Sequence, residues 1–158
     1  MQHIRYEACE DENAVQQELD RMVGQELLTP EQRAMVNCRQ IANFFQTELG
    51  KKLQCSKNVL REFKFSILDD GRNYDESLIE EKILLQGVVD CALIEPDGIT
   101  VVDFKTDSVT EATMEAAVQR YRPQVMAYVD ALERIFQRKV KQALLYFFRL
   151  NTFASLDR

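Results

Sequence analysis

Asp103 and Lys105 stand one residue apart in the apolar run Val101-Val102-Asp103-Phe104-Lys105, and a second acid, Asp90, closes the similar run Gly87-Val88-Val89-Asp90. Two acids brought together repel, and burial beside a sheet raises the cost of ionising both. A hard divalent cation relieves that cost. Mg²⁺ or Mn²⁺ takes oxygen ligands, keeps several waters, and is commonly held by one or two carboxylates plus a substrate phosphate. Such a cation lowers the pKa of a bound water and stabilises charge growing on a phosphoryl oxygen. An adjacent ammonium positions that water or supports the developing charge. The same triplet also suits a solvated hairpin in which Lys105 is only a salt-bridge partner, because Asp-x-Lys is a frequent chance match.

The elements around these residues must bring them together. Lys82 to Ile94 and Ile99 to Lys105 read as strands, joined by the turn Glu95-Pro96-Asp97-Gly98 with proline second and glycine fourth. A simple four-residue turn makes paired positions sum to 193, which sets Asp90 opposite Asp103 with Cβ atoms about 5 Å apart. Lys105 then projects from the same face, while Val102 and Phe104 point into the core. A bulge at Gly98 would shift this register by one. The relation between Asp103 and Lys105 does not depend on the turn.

Upstream, Val59 to Ile67 alternates as a strand, with Arg61, Phe63, Phe65 and Ile67 against Leu60, Glu62 and Lys64. The polar stretch 69–77 after it reads as a loop. Residues 1–50 read as helical. Val15, Leu19 and Met22 recur at helical spacing before Gly24. Thr29-Pro30-Glu31-Gln32 is a helix start with a capping box. From it Ala34, Cys38, Ile41, Phe45 and Leu49 form one apolar stripe that Gly50 would end. Residues 110–137 read as a crossover helix in two pieces, broken by Pro123, and Val140 to Phe148 as a last strand. On the crossover helix Val125, Val129, Leu132 and Phe136 form the core stripe. Tyr121, Gln124 and Tyr128 form a separate polar-aromatic face, which is either available for another role or amphipathic filler. The expectation is one domain over 1–158, with a mixed-sheet core over 56–150. Its crossover would set the last strand parallel to its neighbour, with a right-handed connection.

The 158 residues suffice for one buried core. With 46% apolar and 29% charged residues, the composition is that of a folded soluble chain and not a disordered one. No apolar run approaches the roughly 20 residues that span a bilayer, and the polar, acidic start is neither a secretory signal nor a transit peptide. A cytoplasmic location is the default expectation, with no membrane partner. Cys9, Cys38, Cys55 and Cys91 show no metal spacing and read as reduced thiols. The net charge of −6 opposes free-standing nucleic-acid binding, which usually relies on a basic face. DNA is then reached only if metal ions and a partner surface supply positive charge.

Together, GVVD (87–90), VVDFKTD (101–107) and the run from Tyr121-Arg122-Pro123-Gln124 to Tyr128 resemble the RecB-like branch of the PD-(D/E)XK nucleases. Within it, the order and spacing look like the C-terminal nuclease domain of AddA-type subunits of bacterial helicase–nucleases. The Arg61-Glu62-Phe63-Lys64-Phe65 strand and the MQHI opening extend the likeness over nearly the whole chain. The resemblance implies a restriction-endonuclease-like αβββαβ core, in the α/β class, preceded by N-terminal helices. It implies that Asp90 and Asp103 are Mg²⁺ (or Mn²⁺) ligands, that Phe104 adds its backbone carbonyl, and that Lys105 is the catalytic lysine. It makes Gln124 and Tyr128, with Tyr121 on the same face, DNA-binding or site-orienting residues. Glu62 either supports a ligand or the core, or is a strand-surface charge.

The resemblance also implies a metal-binding histidine in a GTxxH motif just upstream of residue 1. His3 falls beyond that position and reads as a surface residue, so the chain reads as a fragment. No cysteine follows Cys91, so no iron–sulfur cluster is expected, and no Walker A pattern is present for ATP hydrolysis. Implied partners are DNA, the remainder of a helicase chain and an AddB-type subunit. Two functions stay open. One is metal-dependent DNA exonuclease activity in double-strand-break repair and recombination. The other is a nuclease-like docking or DNA-guiding module with little turnover.

Overall fold

In the computed structural model, which describes residues 1–73 and 75–157, a five-stranded mixed sheet stands between two helical layers. The strands are β1 (Val59–Asp70), β2 (Lys82–Glu95), β3 (Gly98–Lys105), β4 (Val140–Phe147) and β5 (Thr152–Ser155). They lie in the sheet in chain order. β1, β2 and β3 form an antiparallel meander, β4 runs parallel to β3, and β5 returns antiparallel to β4. The expected α/β order is therefore present, and β5 is an addition to it. Tyr74, part of the expected loop at 69–77, lies outside the described residues; β1 itself runs on to Asp70.

The N-terminal layer is made of α1 (Glu12–Gly24), α2 (Pro30–Met35), α3 (Cys38–Gln46) and α4 (Glu48–Cys55). Val15, Leu19 and Met22 of α1 are buried as their spacing requires, and Asp11 caps the helix by accepting from the Ala14 amide at 2.8 Å. The capping box at Thr29 and Gln32 forms in both directions. The single stripe expected from Ala34 to Leu49 does not form one helix. Val36 and Asn37 are extended, and Asn37 starts α3 afresh by accepting from the Gln40 amide. Thr47, also extended, ends α3 and caps α4.

Gly50 is accordingly not a stop but a point of contact inside α4. A Cβ there would lie 2.2 Å from the Phe44 carbonyl oxygen and 2.6 Å from the Phe45 Cα. Only glycine lets the two short helices close to that distance.

The other layer is α5 (Met114–Phe136), a single helix rather than two pieces. Pro123 removes one amide and leaves the Gln119 carbonyl without its usual donor. Both residues are exposed, so water can satisfy the carbonyl and the helix continues.

Two cores result. On one face α1, α3 and α4 pack Phe44, Phe45, Leu19 and Leu53 against Cys91, Leu93, Val102 and Tyr146. On the other, α5 packs Tyr128, Ala131 and Leu132 against Val89, Ala92 and Val101, and Val125 and Val129 against Leu145 and Phe147. All four cysteines are free thiols; Cys9, Cys38 and Cys91 are buried and Cys55 is exposed. Among the described residues no helix is long and apolar enough to cross a membrane.

Candidate functional site

The β2–β3 ladder keeps the register read from the turn, from Glu95↔Gly98 through Cys91↔Val102. Gly98 holds φ +151°, a backbone region that side chains rarely adopt, and the strand leaves the turn without a shift in register. The ladder stops one position before Asp90 and Asp103. There Asp90 turns its carboxylate across the gap, and Oδ2 accepts a hydrogen bond from the Phe104 amide at 2.9 Å.

The β1–β2 ladder has a matching gap. Arg61↔Cys91 and Phe63↔Val89 are paired while Glu62 and Asp90 between them are left out, and the register is unchanged on either side. Glu62 takes φ 49°, left-handed backbone for a non-glycine residue, at a cost on the order of 1–3 kcal/mol.

The gap reverses the faces of both strands. Leu60, Phe63 and Phe65 all belong to the α5 side, whereas Arg61 reaches the other layer, 4.4 Å over the Tyr6 ring and donating to the Ile4 carbonyl. Val89 and Ala92 likewise face α5, while Cys91 faces α1 and α3. Strict alternation, which would put Arg61 with Phe63, therefore fails at Glu62. The side chains of Glu62 and Asp90 sit at the seam where the sheet changes sides. They line a cleft of ≈ 450 Å³ together with Met1, Phe104, Thr106 and Phe148.

Asp103 lies on the α5 side, 1% exposed, beneath Lys105. Lys105 Nζ is 2.6 Å from Asp103 Oδ2, but off the hydrogen-bonding direction, so this buried oxygen has no directed partner. Burial pushes the Asp103 carboxyl above its ordinary pKa; the Lys105 ammonium opposes that push and the negative Asp90 adds to it.

The ammonium also donates to Gln124 Oε1 at 3.1 Å and sits 3.9 Å from the Tyr121 ring centre. Gln124 Nε2 in turn donates to the Tyr128 hydroxyl at 2.6 Å. Tyr121, Gln124 and Tyr128 thus converge behind Lys105. Tyr128, however, is not on a free face. It is 7% exposed and packs edge-on against Phe65, because Gly87 beneath has no side chain to exclude the two rings. Burial raises the Tyr128 hydroxyl above its ordinary pKa.

Sequence reasoning passed over Asp107 and Arg120. Asp107 Oδ2 accepts from the Tyr121 hydroxyl and from Arg120 Nη2, the latter at 2.9 Å. Asp103, Lys105 and Asp107 are spaced by two, the strand period, and that pattern could have signalled it.

Among the described residues no group of three or more His, Cys, Asp and Glu side chains is arranged to hold a metal, and His3 is exposed. The donor set is two carboxylates, one with a buried oxygen lacking a directed partner. That suits a hard cation that completes its shell with water and phosphate, and not a closed protein cage.

A family model described as the PD-(D/E)XK nuclease superfamily matches residues 2–155. The chain is similar to an ATP-dependent helicase/nuclease subunit of Alkaliphilus metalliredigens, 38% identical over 154 residues, covering 96% of this chain and 13% of that protein. The protein of the same name from Acetivibrio thermocellus is 40% identical over 153 residues, 94% of this chain and 12% of that protein. That of Clostridium botulinum strain Hall is 35% identical over 162 residues, 99% of this chain and 12% of that protein. The chain thus spans only 12–13% of the length of these curated relatives.

Proposed function

This chain belongs to the PD-(D/E)XK nuclease superfamily, and from that premise we propose that it is a Mg²⁺-dependent deoxyribonuclease domain acting as an exonuclease. It would serve a cytoplasmic ATP-dependent helicase–nuclease in double-strand-break repair and recombination. The observation that carries the reading is the buried pair of Asp103 and Lys105, 2.6 Å apart, with Asp90 near enough for its charge to push the Asp103 carboxyl up, where both ladders of β2 open. In this reading DNA is delivered by the remainder of a helicase chain and an AddB-type partner subunit. Those bodies also supply the positive charge that a chain of net charge −6 lacks.

Asp90 and Asp103 would hold the cation, with the Phe104 carbonyl beside them. Bound there, Mg²⁺ or Mn²⁺ supplies an acidified water and stabilises negative charge on the phosphoryl oxygens. The remaining work belongs to side chains of this chain. The Phe104 amide aims Asp90 by donating to Oδ2, leaving Oδ1 for a ligand. Lys105 has three donors, of which one is spent in a directed hydrogen bond, to Gln124. With Asp103 Oδ2 2.6 Å away on one side, the ammonium keeps donor capacity for a scissile phosphate or its attacking water, at a group only 12% exposed, where such bonds are worth more than in bulk solvent. Gln124, braced by the buried Tyr128, orients Lys105 and borders the path of the DNA strand. Glu62, at the seam beside Asp90, supports the ligand pair from the cleft side.

The test is cleavage of linear DNA by the full-length protein in Mn²⁺ or Mg²⁺. Asp103→Ala and Lys105→Ala should each abolish it with the fold intact. Unchanged cleavage in either variant would sink the assignment. Cleavage absent from the unsubstituted protein, with DNA still bound, would favour a docking or DNA-guiding module.

A further inference from the structure

We infer that Asp107 is a positioning residue that acts on Lys105 through the ring of Tyr121; the inference rests on the nuclease reading of Lys105. A lysine ammonium on a flexible four-carbon stem is a poorly directed group, and Lys105 ends a strand, with the chain beyond it leaving the sheet. Three contacts fix it: Asp103 Oδ2 at 2.6 Å, Gln124 Oε1 at 3.1 Å and the Tyr121 ring centre at 3.9 Å. Tyr121 presents its negative face to the ammonium, an attraction that strengthens as the pair is desolvated.

That ring is held in turn. Its hydroxyl donates to Asp107 Oδ2, and Arg120 Nη2 donates both to the same oxygen and to the Tyr121 hydroxyl, each at 2.9 Å. A phenol that donates to a carboxylate gains electron density on its ring, which improves the ring as a cation's partner. Arg120 works against that gain, because it donates to the same hydroxyl and its guanidinium lies 4.7 Å from the same ring centre, so what Asp107 chiefly supplies is the ring's orientation.

Stability does not account for this arrangement. The side chains of Asp107 and Arg120 are 39% and 63% exposed, and exposed ion pairs contribute little to folding. An added carboxylate beside a site that must admit a polyanion is an electrostatic cost, which Arg120 offsets. What the acid adds is direction, passed from Asp107 to Tyr121 to Lys105.

Two measurements test the inference. The first is ring-current displacement of the Lys105 side-chain methylene and ammonium signals by NMR, which needs no turnover. Tyr121→Leu should return them to ordinary lysine positions, and Asp107→Asn should move them part of the way, with Asp107→Glu restoring them. The second is cleavage by the full-length protein. Asp107→Asn should lower kcat roughly 10- to 100-fold, as a displaced catalytic group does, and leave KM for DNA within about twofold. Asp107→Asn combined with Tyr121→Leu should be no slower than Tyr121→Leu alone, because one change acts through the other. Losses that multiply in the double variant, or Lys105 signals unmoved in Asp107→Asn, overturn the inference. If the signals move as expected but Lys105→Ala still cleaves DNA, the nuclease reading of Lys105 fails while the positioning chain stands.

Discussion

Glu18 is buried in α1 with a side chain 1% exposed, and its replacement by glutamine should cost about 3 kcal/mol, a figure set by the partners it holds. Burial alone would raise its pKa. Two guanidiniums overcome that: Arg21 donates at 2.5 and 2.9 Å, Arg5 at 2.7 and 2.9 Å, and the Arg5 amide adds a further bond at 2.8 Å. The result is a carboxyl lowered from 4.5 to about 2. At about 1.36 kcal/mol per pKa unit, the ionised native form gains on the order of 3 kcal/mol over the unfolded chain. Removing one partner of a buried pair costs about 3–5 kcal/mol. Arg5 and Arg21, 55% and 22% exposed, keep part of their hydration, which favours the lower end.

The sign follows from the direction of the shift. A depressed carboxylate stabilises the fold fully above its unfolded pKa and loses that contribution as pH falls toward the native value. Urea denaturation should therefore separate wild type from Glu18→Gln by about 3 kcal/mol at neutral pH, or roughly 6–12 °C in Tm for a domain of this size. The gap should fall below half by about pH 3. A gap under about 1 kcal/mol at neutral pH, or one that does not shrink on acidification, would refute the reasoning. The same network reaches toward the candidate site. Arg21 donates to the His3 carbonyl and Arg61 to that of Ile4, so the N-terminal segment is tied to α1 and to the strand beside Glu62.

Four further outcomes are expected. Glu62→Gly should leave thermal stability equal or higher by about 1 kcal/mol, because it relieves left-handed strain, while cleavage falls; a loss of stability would show that Glu62 is held for folding alone. Asp103→Asn should raise the Tm in chelator at neutral pH, because a buried carboxyl with a raised pKa is stabilising only when protonated, and the advantage should vanish in acid. Mn²⁺ at about 100 times its Kd should stabilise the wild type by about 2.7 kcal/mol and leave Asp103→Asn unmoved, read by differential scanning fluorimetry. Phe44→Ala should cost about 3–5 kcal/mol in chemical denaturation, because Phe44 is 0% exposed and stacks within 5.1 Å of Phe45, Phe104 and Tyr146.

Much of this was legible from local pattern. The Thr29 cap, the Pro96-Asp97 turn and its register, and the strand at Val140 rest on short-range stereochemistry that neighbouring residues state directly. The errors came where tertiary contact overrides the local signal. Gly50 reads as a helix end, but the missing Cβ serves the close approach of α4 to Phe44. Pro123 reads as a break, yet it and Gln119 lie on an exposed stretch of α5, and the helix passes through. Tyr128 reads as a free polar face, but room above Gly87 draws it into the core. The short β5 has only four residues and gains its place by pairing with β4, which no local pattern announces.

The least legible feature is also the one that shapes the candidate site. In an unbroken meander, alternation would hold Asp90 to a single face, with its backbone spent on the ladder. Leaving Glu62 and Asp90 out of the pairing, at the cost of one left-handed residue, lets the strands change sides without losing register. It also opens the sheet where the β2–β3 ladder ends. Asp90 can then reach the Phe104 amide while Asp103 stays buried on the α5 side, near enough for the Asp90 charge to act on its carboxyl. No periodicity of two encodes such a reversal, because on either side of it the pattern is that of an ordinary strand. Its only trace in the sequence is an acid at each of two positions where an alternating strand would have continued.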